Sequence, residues 1–336
     1  MTERRGTSGR GEPSLDVGVV YVPFVGDKFG ECTTVAHPAV GRYGDPIPPE
    51  VTDEHVRQLL EAGASTVMFN FGEGDDDHER FRAYDDAESS DELDLEPFYV
   101  VGQALRRDRD LETDLAFVRE HFLGRPNIGR FDGRPVVTLW DVLCLHWAGM
   151  QGRRTVRDYV RDRYGGFGEL VEFVRSELTV DGLEPFLVGD VFNAAVGGFP
   201  DWADPALERL DGVTYWVGYN PANPAANWDE AYDHIETNYD ALSSYADEND
   251  LAFFPTVIPG FDDLHNECWG LDRRIPRSPE HFRELLALAT RYSDRVSVAT
   301  FNDWTEGTHI ERGRFRSENH GSAYLDVLAS FSGGKS

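Results

Sequence analysis

Residues 296–313, VSVATFNDWTEGTHIERG, open as an apolar run and close on Asn302, Asp303, Trp304, Glu306, Thr308, His309 and Glu311. Asp303 and Glu306 lie three residues apart just beyond that run, where a turn can aim both at one pocket. Gly307 relieves the backbone crowding such a turn creates. Two carboxylates in a partly dry site push their pKa values apart and leave one as acid and one as base. That division of labour is what cleavage of a glycosidic bond requires. Spacing alone leaves a second reading open, two solvated carboxylates in an acid-rich chain.

Comparable polar and aromatic residues end other apolar runs: Tyr21 and Phe24, Asn70 with Glu73, Trp140 with Asp141, Asp190 with Asn193, and Trp216 with Tyr219 and Asn220. Flat aromatic faces stack on sugar rings, while carboxylates and amides take up hydroxyls. The residues expected to touch a substrate are Tyr21, Asn70, Trp140, Asp141, Tyr219, Asn220, Asn302, Trp304 and His309, around Asp303 and Glu306 as the reacting pair. Each has a plainer alternative: Trp304 as a core wedge, Tyr219 and Asn220 as packing and capping, His309 and Glu311 as a solvated turn. Asp262 and Asp263 are open between pocket and solvent. The His265, Glu267 and Cys268 cluster has no common metal-ligand spacing, and no metal or cofactor is expected.

The elements that must hold these residues are continuous apolar runs at 16–24, 65–72, 135–142, 185–191, 212–219, 252–260 and 296–302. Such runs, rather than alternating ones, mark strands covered on both faces. An eighth, 93–102, contains Pro97, which removes a ladder donor. Helical patterns alternate with them. One is expected to open on Thr52 as its cap and to end at Gly63, and another on Ser278 with Pro279 in first position. Strand–helix alternation gives an α/β fold with a parallel sheet, and eight strands fit a single (β/α)8 TIM barrel. The expected boundaries are a flexible lead over 1–14 and the barrel over 15–333. An open doubly wound sheet is the alternative, but no GxGxxG follows the first strand. The acidic run 72–94 is expected to be a solvated loop.

The 336 residues carry 61 acids against 32 bases, a formal charge of −29, and the only lysines are Lys28 and Lys335. A carboxylate coat repels itself unless salt screens it, so the composition implies adaptation to high salt, as in halophilic archaea. It argues against nucleic acid as partner. Cys32, Cys144 and Cys268 are odd in number and far apart, and are not expected to form a disulfide framework. No apolar run approaches the roughly 18 residues of a membrane span, no export signal is evident at the N-terminus, and a soluble cytoplasmic protein is expected.

The run FNDWTEGTHIE resembles the signature of glycoside hydrolase family 99, the endo-α-mannosidases, and of related bacterial polysaccharide-biosynthesis proteins. There, Asn-Glu-Trp-x-Glu-Gly precedes Thr or Asn, then Ile or Leu and a further Glu. VGVVYVPFVG, the stretch from His37 to Gly72, FDGRPVVTLWD, LDGVTYWVGYNP and FFPTVIPGFDD are similar to earlier and later family segments in the same order. The resemblance implies a retaining, metal-independent enzyme acting on α-linked mannose-type oligosaccharides or polysaccharides. It implies Asp303 as base on the sugar's own 2-hydroxyl and Glu306 as general acid/base. Two departures stand out. Asp303 replaces a Glu and shortens the reach by about 1.5 Å, and Val22, Phe24, Val25, Phe69 and Phe71 stand where the family has Tyr or Trp. The alternative is a non-catalytic carbohydrate-binding or polysaccharide-assembly protein on the same barrel.

Overall fold

The computed structural model describes residues 15–107, 109–144, 155–191, 198–216, 227–270 and 272–332. Eight parallel strands form its centre: β1 Asp16–Tyr21, β2 Thr66–Phe71, β3 Asp94–Tyr99, β4 Arg134–Leu139, β5 Phe186–Asp190, β6 Gly212–Tyr215, β7 Ala252–Val257 and β8 Arg295–Val298. Each pairs with its sequence neighbours, β3 meets β4 through Phe98 opposite Thr138, and β8 returns to β1 with Asp16 opposite Arg295. The sheet is therefore closed and has no free edge, a single (β/α)8 barrel with helices outside. All eight apolar runs become barrel strands, including the one that contains Pro97.

Alternate residues point inward and fill the barrel in tiers. Met68, Phe98, Thr138, Thr214 and Thr256 line the middle. Gly18 makes room there, because a Cβ at that position would come within 2.8 Å of the Met68 sulfur. Below them Glu96 pairs with Arg295, which also lies 3.4 Å from Asp16. Both partners of the Glu96–Arg295 pair are buried, so each charge depends on the other to offset its desolvation. Phe131, Phe186 and Phe254 cluster beside this floor.

Several local expectations change. The first long helix is Pro49–Glu61, so Thr52 lies inside its first turns and is not the cap; proline's fixed φ suits the opening position. Ser278 does cap Pro279–Ala289, accepting the N–H groups of Glu280 and His281 at 3.1 and 3.2 Å. The acidic run is not simply a solvated loop. It contains the helix Asp77–Asp85, and buried Asp77 accepts the N–H groups of Gly72 and Gly74 at 2.8 and 3.0 Å and pairs with Arg80. The cysteine reading is corrected as well. Cys32 and Cys268 form a disulfide across 236 residues, because the loops after β1 and β7 meet over the barrel mouth, while Cys144 is buried and free. Among the described residues no helix is long and apolar enough to cross a membrane.

Candidate active site

The chain leaves β8 at Val298 and enters the turn that carries the motif. Asn302 anchors it: its amide oxygen accepts the Val22 N–H at 2.7 Å and its NH2 donates to the Val22 carbonyl at 3.0 Å. This ties the turn to the end of β1. Behind the turn, Glu311 accepts from the Trp304 indole at 2.7 Å and from the Tyr43 hydroxyl at 3.0 Å, and it faces His55 Nε2 at 3.2 Å. His55 Nδ1 lies 3.0 Å from the Tyr21 hydroxyl. Both contacts are satisfied when Tyr21 donates to Nδ1 and Nε2–H donates to Glu311. His309 stacks on Trp304 with ring centroids 3.6 Å apart, and Arg277 donates to its carbonyl at 3.0 Å. Burial and the Arg277 charge hold His309 well below the usual histidine range, hence neutral.

This buried frame fixes Asp303. Its Oδ1 accepts three hydrogen bonds, from Thr305 N–H at 3.0 Å, Thr305 O–H at 2.6 Å and Glu306 N–H at 3.0 Å. Its own N–H donates to Thr300 Oγ1 at 2.8 Å. Among the described residues Oδ2 has no such partner and is left to the cavity. Gly307 then turns the chain with φ of +63°, in the left-handed region, and a Cβ there would come 3.1 Å from the Asp262 carbonyl.

Asp303 and Glu306 both line one cavity of about 910 Å³ at the C-terminal mouth of the barrel, where reacting groups of this fold stand. Burial raises the Asp303 carboxyl, opposed by its three donors. Burial raises Glu306 further, well above the carboxylate range, and the Asp303 charge adds to it; Arg273 and the indole N–H of Trp269 oppose the rise. The pair is therefore divided: both carboxyls are raised by burial, Glu306 the more strongly, while the three donors make Asp303 the more readily ionised of the two. A third carboxyl, Glu73, is pushed up to about 7 by desolvation and by Asp77.

Of the residues expected around the pair, Asn70 and Trp140 line the cavity, joined by Trp216, whose ring meets Trp140 edge-on at 6.2 Å. Tyr21, Asn302, Trp304 and His309 are buried behind the wall and support the turn instead of facing the cavity. Asp141 is buried beside Asp190, whose carboxylate accepts the N–H groups of Asp141 and Trp216 at 3.1 and 2.9 Å. Tyr219 and Asn220 lie outside the described residues. Asp262 and Asp263 are buried in ion pairs, with Arg316 at 2.6 Å and Arg273 at 3.3 Å. Sequence reasoning missed Lys28, Arg106, Arg107 and Trp269 as cavity residues. The scarcity of lysine was the one signal that singled out Lys28. Among the described residues no three His, Cys, Asp or Glu side chains converge as metal ligands would.

The class that fold and site define is a (β/α)8 barrel with a divided carboxylate pair in a cavity at its C-terminal mouth. No family model matches the chain. A glycoprotein endo-alpha-1,2-mannosidase-like protein of Homo sapiens is 25% identical over 302 residues, 87% of this chain and 60% of its own length. Its Mus musculus counterpart is 24% identical over 286 residues, 82% of this chain and 57% of its own. The chain thus spans about 60% of the length of these curated relatives. Among solved structures, a glycoside hydrolase-like protein superposes with a TM-score of 0.64 at 18% identity, covering 97% of both chains. The GH99 endo-alpha-mannosidase from Bacteroides thetaiotaomicron does so with a TM-score of 0.63 at 16% identity, covering 95% of this chain and 97% of that one. At such identities the structural likeness establishes the fold.

Proposed function

We propose that the chain is a retaining glycoside hydrolase-like enzyme acting on α-linked mannose-type glycans. The observation that carries this reading is the state of the pair. One Asp303 oxygen takes three donors while the other faces the cavity, and burial beside Asp303 raises the carboxyl of Glu306, on the same cavity, well above its ordinary value. The likeness to endo-alpha-1,2-mannosidase-like proteins supports the choice of sugar.

In this proposal Asp303 Oδ2 takes the proton of the sugar's 2-hydroxyl, and that oxygen attacks the anomeric carbon. Glu306 gives its proton to the departing glycosidic oxygen, which leaves as an alcohol, and a 1,2-anhydro sugar remains. Glu306, now a carboxylate, takes a proton from water; the water oxygen bonds to the anomeric carbon, the epoxide opens, and Asp303 returns its proton to O2. Two inversions give net retention with no covalent enzyme–sugar bond. The shorter Asp303 must bring the sugar closer to the turn than a Glu would, and misplacement of about 1 Å costs on the order of 100-fold in rate.

Hydrolysis of α-mannosyl fluoride and mannan fragments in molar salt tests this. Glu306→Gln is expected to lose about 100-fold or more; product equal to wild type removes the enzymatic claim. The replacement of Glu by Asp303 favours a second reading, a carbohydrate-binding or polysaccharide-assembly protein on the same barrel. Binding without turnover in wild type, with turnover appearing in Asp303→Glu, would establish it. The Cys32–Cys268 bridge favours an oxidising compartment over the reducing cytoplasm, because such bridges persist in the former.

A further inference from the structure

The cavity that holds the carboxylate pair carries cations that the proposed chemistry does not use. Lys28, one of two lysines in a chain of net charge −29, lines it, as do Arg80, Arg106 and Arg107. Arg80 is committed to the protein: it donates to both Asp45 oxygens and to Asp77. Arg106 donates to Gln103 at 3.1 Å. Lys28 and Arg107 differ. Among the described residues neither has a carboxylate within the 4.0 Å of an ion pair, although acids outnumber bases almost two to one in the chain and Glu31, Asp75 and Asp76 line the same cavity.

Both cations line the same cavity as the reacting pair. The Lys28 ammonium lies 6.0 Å from the centre of the Trp269 ring, and Trp269 in turn acts on Glu306. Arg107 acts on Glu73, which in turn feels Asp303. Because Glu73 is half-protonated near neutrality, it neutralises Arg107 only in part. The protein's overall charge does not bar an anionic ligand at high salt. At about 1 M salt the Debye length is about 3 Å, so the distant carboxylate coat is screened while direct contacts inside the cavity persist.

We propose that the cavity takes a glycan bearing anionic groups, with Lys28 and Arg107 as the side chains that meet them. This deepens, and rests on, the reading of the site as one for mannose-type sugars. A carboxylate at C6 and a sulfate ester present the same chemistry to an ammonium and a guanidinium, and charge-assisted hydrogen bonds to either are the strong ones. Neutral mannose residues would leave both cations with only hydroxyls and water.

The test uses three probes in about 2 M KCl: an α-mannobiosyl fluoride, its uronic acid counterpart and its 6-sulfate. For each, kcat/KM is measured with wild type, Lys28→Met, Arg107→Met and the double variant. Wild type is expected to prefer at least one acidic probe by about tenfold or more, a gap that one or two charge-assisted contacts can supply. The uronate and sulfate arms decide which group is recognised. The acidic-to-neutral ratio is expected to fall towards one in the double variant. Equal rates on neutral and acidic probes in wild type, or an undiminished ratio in the double variant, overturn the inference while leaving the glycosidase reading intact. If no probe is cleaved, the glycosidase reading fails instead. Calorimetric titration of the corresponding non-fluorinated disaccharides then judges the anion site by itself, with equal affinity for neutral and acidic sugars counting against it.

Discussion

Glu306 keeps a proton that the same residue in an unfolded chain surrenders above about pH 4.3, and this difference can be measured. Because its folded pKa is raised, its contribution to stability falls as pH rises from that value towards the folded pKa, and it is constant beyond. Glu306→Gln cannot ionise. It is therefore expected to raise the melting temperature at pH 8 by about 2 °C or more and to change it little at pH 4. A variant equally stable, or less stable, at pH 8 would contradict the assignment. The proposed mechanism also predicts a pH profile: it needs Asp303 ionised and Glu306 protonated, so the rate is expected to fall below the raised Asp303 pKa and above the raised Glu306 pKa. The Trp269 indole favours the Glu306 carboxylate, so Trp269→Phe is expected to move the alkaline limb to higher pH; a downward shift would refute that role.

At the scale of elements, the turn after β8 is held from behind by side chains that never reach the cavity. Asn302→Ala strips buried Val22 of partners for both its N–H and its carbonyl. It is expected to cost about 2–4 kcal/mol in denaturant unfolding, and a loss below 1 kcal/mol would show that the tie is dispensable. The sequence displayed the strands plainly because each is a run of apolar residues covered on both faces, and Asp303 and Glu306 were visible because they stand directly past one of them. Even Pro97 did not obscure β3. What the sequence did not reveal depends on where loops travel. Trp304 and His309 read as substrate contacts, with a core wedge as the alternative for Trp304 and a solvated turn for His309, and the two stack on each other inside. Tyr21 ends its strand pointing at His55 and not at the mouth. Lys28, Arg107 and Trp269 come from three separate loops, and no spacing in the chain predicts that they share a wall.

Two features belong to the whole molecule. The net charge of −29 makes compactness depend on screening, so the melting temperature is expected to rise steadily between about 0.1 and 2 M KCl; a flat dependence would refute salt adaptation. The Cys32–Cys268 bridge joins the loops after β1 and β7 beside Trp269. Cys268→Ser is expected to lower stability by about 2–4 kcal/mol and to slow turnover more than it weakens binding, because the loop that carries Trp269 loses its fastening; unchanged kcat would separate the bridge from the site.

The Glu96–Arg295 pair and the phenylalanines beside it seal the lower end of the barrel. Among the described residues this leaves no passage along the barrel axis for a polymer to thread. If the proposed reaction holds, the glycan lies across the mouth, and whatever is cut departs by the door through which it arrived. Vacating that doorway would then be a step the next chain must wait for, however fast the bond itself is broken.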